Sequence, residues 1–322
     1  MPTGGSNLQF FGLVDGSEIS LKSYLKNLPP VDQVGADARA ATLGTRSIKT
    51  SSKKWAIDTA ISMVDLTTLE GADTPGKVKA LCTKAVRPDP TDTSVPSVGA
   101  VCVYNDMVKV ARTHLDSIGG AELPVAAVST AFPSGRASMA VKLQDTKDAI
   151  EAGATEIDMV IDRGAFLSGR IGEVFDEIVQ IKEICANRAH LKVIFETGEL
   201  VTYDNVRKAS YLAMIAGADF IKTSTGKVSP AATPPVVMIM LEAVRDFREL
   251  TGFQVGVKPA GGIRTTKDAI KQLVLVNETA GPDWLTNKYF RIGASALLND
   301  LLMQRMKLSD GYYASPNYVT ID

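Results

Sequence analysis

The sequence predicts an α/β protein built as a (β/α)₈ barrel behind an N-terminal extension. Three observations predict it. Short apolar runs alternate with helix-like segments from Trp55 onward; eight such runs are present; and their nearly continuous Val, Ile and Ala content suits parallel strands covered on both faces.

In chain order the runs are SMVDL (62–66), VGAVCVY (98–104), PVAAVSTAF (124–132), TEIDMVID (155–162), LKVIFETG (191–198), DFIKTST (219–225), FQVGVKPAG (253–261) and YFRIGAS (289–295). Helix punctuation falls between them. Thr202 is placed to cap TYDNVRKASYLAMIAG, and Thr233 precedes Pro234 at the first helical position, where proline is tolerated. Thr265 opens TTKD, which resembles a capping box. Gly153 and Gly217 sit where a helix should stop. Eight strands alternating with helices is the count of a closed barrel; an open doubly wound sheet shows the same alternation and remains the alternative at this point. Residues 1–54 contain Pro29-Pro30, several glycines and TRSIKTSSKK, which predicts a partly irregular extension with one or two short helices. The barrel is then expected over 55–308 and a tail over 309–322.

Composition narrows the function classes. Of 322 residues, 45% are hydrophobic and 22% charged, and 35 basic residues face 36 acidic ones, so nothing pulls the chain toward nucleic acid. No apolar run is long enough for a membrane span, and MPTGGSNLQFFGLVDGSE lacks the basic and apolar regions of a signal peptide. Cys82, Cys102 and Cys185 form no CxxC pair, and the histidines are His114 and His190, so neither a disulfide framework nor a zinc site is expected. His114 reads as a helix-surface residue and His190 as part of the turn before strand 5. A cytoplasmic, reducing location and small-molecule chemistry without a cofactor are the expectations. The motifs GxSxG, HExxH and GxGxxG are absent.

The chemistry-bearing residues emerge from strand phase. EAGATEID and IAGADFIK share a frame of helix end, Gly, Ala and strand, so Asp158 and Lys222 each lie five residues after a glycine, on strands 4 and 6. Alternate strands of a barrel feed one interior layer, which points both side chains into the lumen at one level. Lys258 of strand 7 takes the inward phase as well. Two lysines inside apolar strands are expensive unless one is neutral. Free lysine titrates near about 10.4 and only the neutral amine attacks a carbonyl, so a neighbouring ammonium together with desolvation is the equipment of a Schiff-base enzyme. Asp158 is the candidate proton shuttle, acting with Lys258 or through a water, and is equally placed as a counter-ion. Asp65 and Glu196 fall near strand ends, Lys192 and Glu196 share a phase that suggests they pair, and Cys102 reads as a small wall residue before a reactive thiol. Gly226, Gly261-Gly262 and Gly293 follow strands 6, 7 and 8, where backbone N–H groups and helix N-termini can cradle a phosphate, with Thr225, Lys227, Arg264 and Ser295 nearby. TSTGKVS is not a Walker A loop, because Ile221 stands at the first glycine position.

Seven segments, SMVDLTTL, AVCVY, EIDMVID, VIFETGEL, FIKTSTGK, KPAGGIRT and RIGASALL, closely resemble the deoxyribose-phosphate aldolase family over about residues 55–305. That resemblance implies a metal-free, class I aldolase on a (β/α)₈ barrel, cleaving 2-deoxy-D-ribose 5-phosphate reversibly to acetaldehyde and glyceraldehyde 3-phosphate. It implies Lys222 as the Schiff-base lysine, Lys258 as the lysine that tunes it, and Asp158 as the proton relay. It implies Asp65, Thr67 and Cys102 as pocket-lining residues and Gly226, Gly261, Gly262 and Ser295 as phosphate ligands. Two departures stand out: Ala296 occupies the place of a second serine, and Tyr318 lies four residues before the end instead of at it. Two rival readings remain, another phosphosugar lyase or isomerase on the same barrel and a non-catalytic phosphosugar-binding protein. A homodimer is expected from what soluble enzymes commonly form.

Overall fold

The structure, a computed structural model, describes residues 7–312, Ser315 and Val319; Tyr318 lies outside the described residues. Eight strands form one sheet: β1 (Val64–Thr67), β2 (Ala100–Tyr104), β3 (Val125–Ser129), β4 (Glu156–Val160), β5 (His190–Ile194), β6 (Phe220–Lys222), β7 (Gly256–Lys258) and β8 (Ile292–Ala294). Every ladder between neighbours is parallel, and the order runs β7-β6-β5-β4-β3-β2-β1-β8. Isolated parallel bridges join Val257 to Phe290 and Ala260 to Gly293, so β7 and β8 also meet and the ring closes. An open doubly wound sheet would reverse its strand order partway, and this one does not.

Helices α1 (Glu18–Lys26), α2 (Gln33–Gly44) and α3 (Thr50–Ser62) precede the first strand. Helices α4 (Pro75–Val86), α5 (Val108–Ser117), α6 (Met139–Glu151), α7 (Arg163–Leu167), α8 (Ile171–Cys185), α9 (Tyr203–Ile215), α10 (Pro234–Thr251), α11 (Thr266–Thr279) and α12 (Leu297–Asp310) follow in the gaps between strands and after β8. The local signals act as chemistry requires. The Thr202 hydroxyl accepts from the Asn205 N–H at 3.2 Å, and Thr265 and Asp268 form a reciprocal capping box. Gly153 and Gly217, at φ +108° and +99°, stop α6 and α9 in a conformation that favours glycine. Thr233 begins α10, but its hydroxyl caps nothing. Pro234 and Pro235 remove the first two N–H donors, which leaves that cap little to satisfy.

The segment before the barrel is more ordered than its composition suggests. Leu21, Leu25, Ala36 and Ala40 are buried in the main core, and α2 packs on α10 and α11. The Val31 N–H donates to Asp204 at 2.7 Å, Tyr203 donates to Asp37 at 2.6 Å, and Arg39 pairs with Glu242 at 2.6 Å.

Register positions the site. Asp158 is the ladder partner of Lys192, and Lys192 that of Phe220, so hydrogen bonding alone sets Asp158 two residues away from Lys222. Strand tilt staggers a barrel by about one residue per strand, so two strands on, that offset returns Lys222 to the layer of Asp158. Outward residues such as Ile157, Met159, Val193, Ile221 and Val257 are buried under the helices. The inward positions of β1 and β4 to β7 carry charged side chains, and those of β2 and β3 carry small or apolar ones.

Candidate active site

Inward positions on five strands, together with the residue before β8, bring seven charged groups together. Lys222, in β6, donates to Asp158 Oδ2 at 2.7 Å. Lys258, in β7, reaches the same oxygen at 2.7 Å and lies 2.6 Å from Asp65 Oδ2, an ion pair without hydrogen-bond alignment. Lys192, in β5, donates to Asp158 Oδ1 at 3.0 Å and to Glu156 at 2.5 Å. Arg291 donates to Asp65 at 2.7 Å and to Glu156 at 3.0 Å. The contacts close on themselves: Asp158, Lys258, Asp65, Arg291, Glu156 and Lys192 alternate in charge around a ring, and Lys222 hangs from Asp158 outside it.

This bookkeeping decides which lysine gives up its proton. Lys258, Lys192 and Arg291 each touch two carboxylates. Lys222 touches one, Asp158, which it shares with two other cations. Burial is the largest influence on Lys222 and lowers its pKa; Asp158 opposes this, and the Lys258 ammonium lowers it further. Lys258 moves the other way: burial disfavours its charge, but Asp158 and Asp65 outweigh burial and hold it firmly protonated. Asp158 is buried too, yet Lys192, Lys222 and Lys258 hold it well below the usual carboxylate range. Burial thus outranks the neighbouring ammonium on which the sequence reading leaned.

The opposite side of the lumen is apolar. Leu69, Cys102, Ala126 and Val128 form a separate buried cluster with Tyr104 and Phe132 against it. Cys102 stands close enough for its thiol to feel Lys258, Asp158 and Lys222, but burial dominates and raises its pKa, so it is a neutral wall group. Thr67, its ladder partner in β1, is half-buried and donates to the Asp65 carbonyl at 2.7 Å.

At the mouth, Glu196 corrects a sequence expectation. It does not pair with Lys192, which is taken by Glu156 and Asp158. Glu196 follows β5 at φ +54°, a left-handed turn that swings its carboxyl toward the loop after β6. There it accepts from the Thr225 hydroxyl and from the Thr225 N–H at 3.3 Å, and burial pushes its pKa up. Thr225 Oγ1 in turn accepts from the Lys227 N–H at 3.1 Å, which pins the turn through Gly226.

The glycine turns converge. Gly226, Gly261 and Gly262 adopt φ +81°, +85° and +86°. A Cβ at 261 would lie 2.7 Å from Ala231 Cβ and 3.4 Å from Gly226 Cα, so the turns after β6 and β7 touch. Gly226, Lys227, Gly262, Arg264 and Ser295 are exposed. Lys227 reaches Glu70 at 2.9 Å, an exposed pair of small worth that leaves the ammonium free to turn. No side chain caps the N-terminus of α12 at Ala296, which follows Ser295 directly. His190 is the exposed first residue of β5 instead of a turn residue.

Sequence reasoning reached Lys222, Lys258, Asp158 and Asp65 but missed Arg291 and Glu156 altogether. Their inward phase in strand runs 4 and 8 was the available signal, since two charged residues amid apolar runs need partners.

Comparison with known proteins agrees with this geometry. A family model described as DeoC/LacD family aldolase matches residues 59–302. The deoxyribose-phosphate aldolase of Homo sapiens is 44% identical over 311 residues, covering 93% of this chain and 96% of the relative. That of Mus musculus is 45% identical over 281 residues, covering 84% of this chain and 87% of the relative. A crystal structure from Toxoplasma gondii ME49 superposes at a TM-score of 0.70 with 22% identity, covering 84% of this chain and 100% of that one, a likeness that speaks for the fold. The chain belongs to the DeoC/LacD family of aldolases.

Proposed function

We propose that this chain is a deoxyribose-phosphate aldolase, a lyase that cleaves 2-deoxy-D-ribose 5-phosphate reversibly to acetaldehyde and D-glyceraldehyde 3-phosphate through a Schiff base on Lys222. The observation that carries the site assignment is the surplus cation: among four cations facing three carboxylates, Lys222 has the fewest counter-charges. A simple binding site has no use for an amine so placed.

The neutral Lys222 Nζ attacks C1 of the open-chain sugar, and the resulting carbinolamine loses water to give an iminium. The carbon count puts cleavage at C2–C3, because a two-carbon and a three-carbon aldehyde must result. As the C3 hydroxyl gives up its proton, the C2–C3 electrons move into a C1–C2 enamine and glyceraldehyde 3-phosphate departs. Protonation at C2 and addition of water then release acetaldehyde and the free amine. Asp158 rests ionised among Lys192, Lys222 and Lys258, so it is free to take the C3 hydroxyl proton, directly or through a water, and to hand it on for protonation at C2, and its charge stabilises the cationic iminium. The iminium formed on the lysine is the electron sink, so the chemistry requires no metal or organic cofactor.

Both halves of the substrate find suitable surroundings. The wall of Leu69, Cys102, Ala126 and Val128 suits the C2 methylene and the methyl of acetaldehyde. The turns at Gly226 and Gly261-Gly262, with Thr225, Lys227, Arg264, Ser295 and the α12 N-terminus, suit the phosphate. Asp65 and Thr67 complete the pocket. Cys82, Cys102 and Cys185 are unpaired and buried, which suits a reducing cytoplasm. Among the described residues, no helix is long and apolar enough to cross a membrane. Light scattering tests the homodimer.

Borohydride reduction in the presence of acetaldehyde, followed by peptide mass mapping, should give a stable two-carbon adduct on Lys222. An adduct on another lysine, or none, overturns the assignment. Lys222→Met should lose the adduct and reduce kcat/KM by at least about 10⁴-fold.

A further inference from the structure

Arg291 and Glu156 touch neither Lys222 nor the rim where substrate phosphate would sit. Arg291 stands opposite Asp158 in the order of ring contacts, reached through Lys258 and Asp65 on one side and through Lys192 and Glu156 on the other. Both are buried, at 5% and 2% exposure, so neither charge is screened by water. Arg291 is fixed further by a bond from Nε to the Asn287 carbonyl. A Cβ at Gly99, just before β2, would lie 2.9 Å from the Ser62 carbonyl oxygen and 3.2 Å from Arg291 Cδ, so the backbone there packs closely against the arginine stem.

Their contacts determine how much of each inner carboxylate remains for the lysines. Arg291 engages Asp65 Oδ1 and leaves Oδ2 to Lys258. Glu156 holds Lys192 at 2.5 Å against 3.0 Å to Asp158, drawing that ammonium away from the carboxylate it would otherwise neutralise. We propose that Arg291 and Glu156 are positioning residues that set the charge on the Lys222 amine from the far side of the ring, Arg291 by favouring the neutral form and Glu156 by favouring the ammonium. This inference rests on the Schiff-base reading of Lys222. The titratable groups around Lys222 are Asp158 and Glu156 on β4, Lys192 on β5, Lys258 on β7, Asp65 on β1, Cys102 on β2 and Arg291 before β8; β3 contributes apolar Ala126 and Val128.

The two residues carry opposite charges, so neutralising them must move the nucleophile in opposite directions. Arg291→Gln removes a cation from the ring, so Lys222 holds its proton to higher pH. The acid limb of kcat/KM, and of the rate of borohydride trapping with acetaldehyde, should rise by about one pH unit for a unit charge lost at an effective dielectric of about 20. Below that limb the variant should be slower by about tenfold. Glu156→Gln should lower the limb by a similar amount, Arg291→Lys should restore the wild-type limb, and Glu156→Gln combined with Arg291→Gln should bring the limb back near wild type.

A merely structural role predicts lost stability or lost kcat, with both limbs unmoved or displaced the same way, and that result overturns the inference. If one single variant fails to fold, the charge-neutral double variant and the remaining single variant decide: a displaced limb in the double, or an undisplaced one in the single, is the overturning result. Wild-type trapping separates this failure from the larger one. No adduct on Lys222 in the wild-type chain rejects the aldolase mechanism itself, whereas a normal adduct with unmoved limbs rejects only the role of the ring.

Discussion

The two walls of the barrel lumen differ in kind. Strands β2 and β3 present Cys102, Ala126 and Val128, which form an apolar patch with Leu69. Strands β4 to β7, the residue before β8 and β1 present Glu156, Asp158, Lys192, Lys222, Lys258, Arg291 and Asp65, and all seven are buried. Neither wall alone prepares a nucleophile. An apolar wall by itself would lower every lysine near it, and a balanced charge network would raise every one. Placed face to face they separate the lysines, since Lys258 is raised by its two carboxylates while Lys222, with a share of one, follows burial downward. Counter-charge distribution, more than distance from the mouth, assigns the roles.

Breaking the charged wall should have the largest effect. Lys258→Met removes the cation next to the nucleophile and frees Asp158 Oδ2 for Lys222 alone. Lys222 then stays protonated at neutral pH, and kcat/KM should fall by about 10³-fold, with the acid limb displaced upward. The two lysines should also differ in stability. Lys258→Met leaves Asp65 and Asp158 short of a buried partner and should cost about 3–5 kcal/mol in denaturant unfolding. Lys222→Met removes the surplus cation and should melt at or above the wild type, a trade of stability for activity. Equal melting shifts for the two variants would show that the ring does not distinguish them.

Acid titration sharpens the same contrast. Asp65 and Asp158 titrate below the ordinary 3.8 in the folded chain, so the unfolded chain binds more protons over that interval. Their contribution to stability is therefore complete above about pH 4 and is lost as pH falls through the folded values. Lys222, whose pKa is lowered, opposes folding below its folded value, while Lys258, whose pKa is raised, supports folding in full below its ordinary 10.5 and loses that support as pH rises through its higher folded value. Unfolding free energy should fall steeply below pH 4, and Asp65→Asn should flatten that fall. An unchanged slope would mean that Asp65 is not held ionised by Lys258 and Arg291.

Much of this was legible in the sequence because two periodicities coincide there. The alternation of side chains along strands placed Asp158, Lys222 and Lys258 inward, and the glycine-anchored frame put Asp158 and Lys222 in one layer. Closure between β7 and β8 was not legible, because it depends on bridges at Val257 and Ala260 between segments that hydrophobic pattern alone cannot pair. The pairing of Lys192 and Glu196 failed for a backbone reason: the left-handed turn at Glu196 ends the strand alternation and aims its carboxyl at Thr225. Arg291 falls inside the run 289–295, yet its partners Asp65 and Glu156 lie on β1 and β4, which the pattern along one strand does not identify.

The smallest expected effect comes from the apolar wall. Val128→Thr keeps the branched shape and adds a hydroxyl to a surface that has none among its buried members. The change costs stability by about 1–3 kcal/mol if the hydroxyl finds no partner. It also brings a polar group, and water with it, toward Lys222, which eases the burial that does most to lower that amine. The acid limb of kcat/KM should then rise by a few tenths of a pH unit and activity at neutral pH should fall by less than about tenfold, the direction of Lys258→Met but a fraction of its size. A larger shift than Lys258→Met produces would reverse the ranking of the two walls and make desolvation by β2 and β3, instead of the uneven sharing of carboxylates, the device that singles out Lys222.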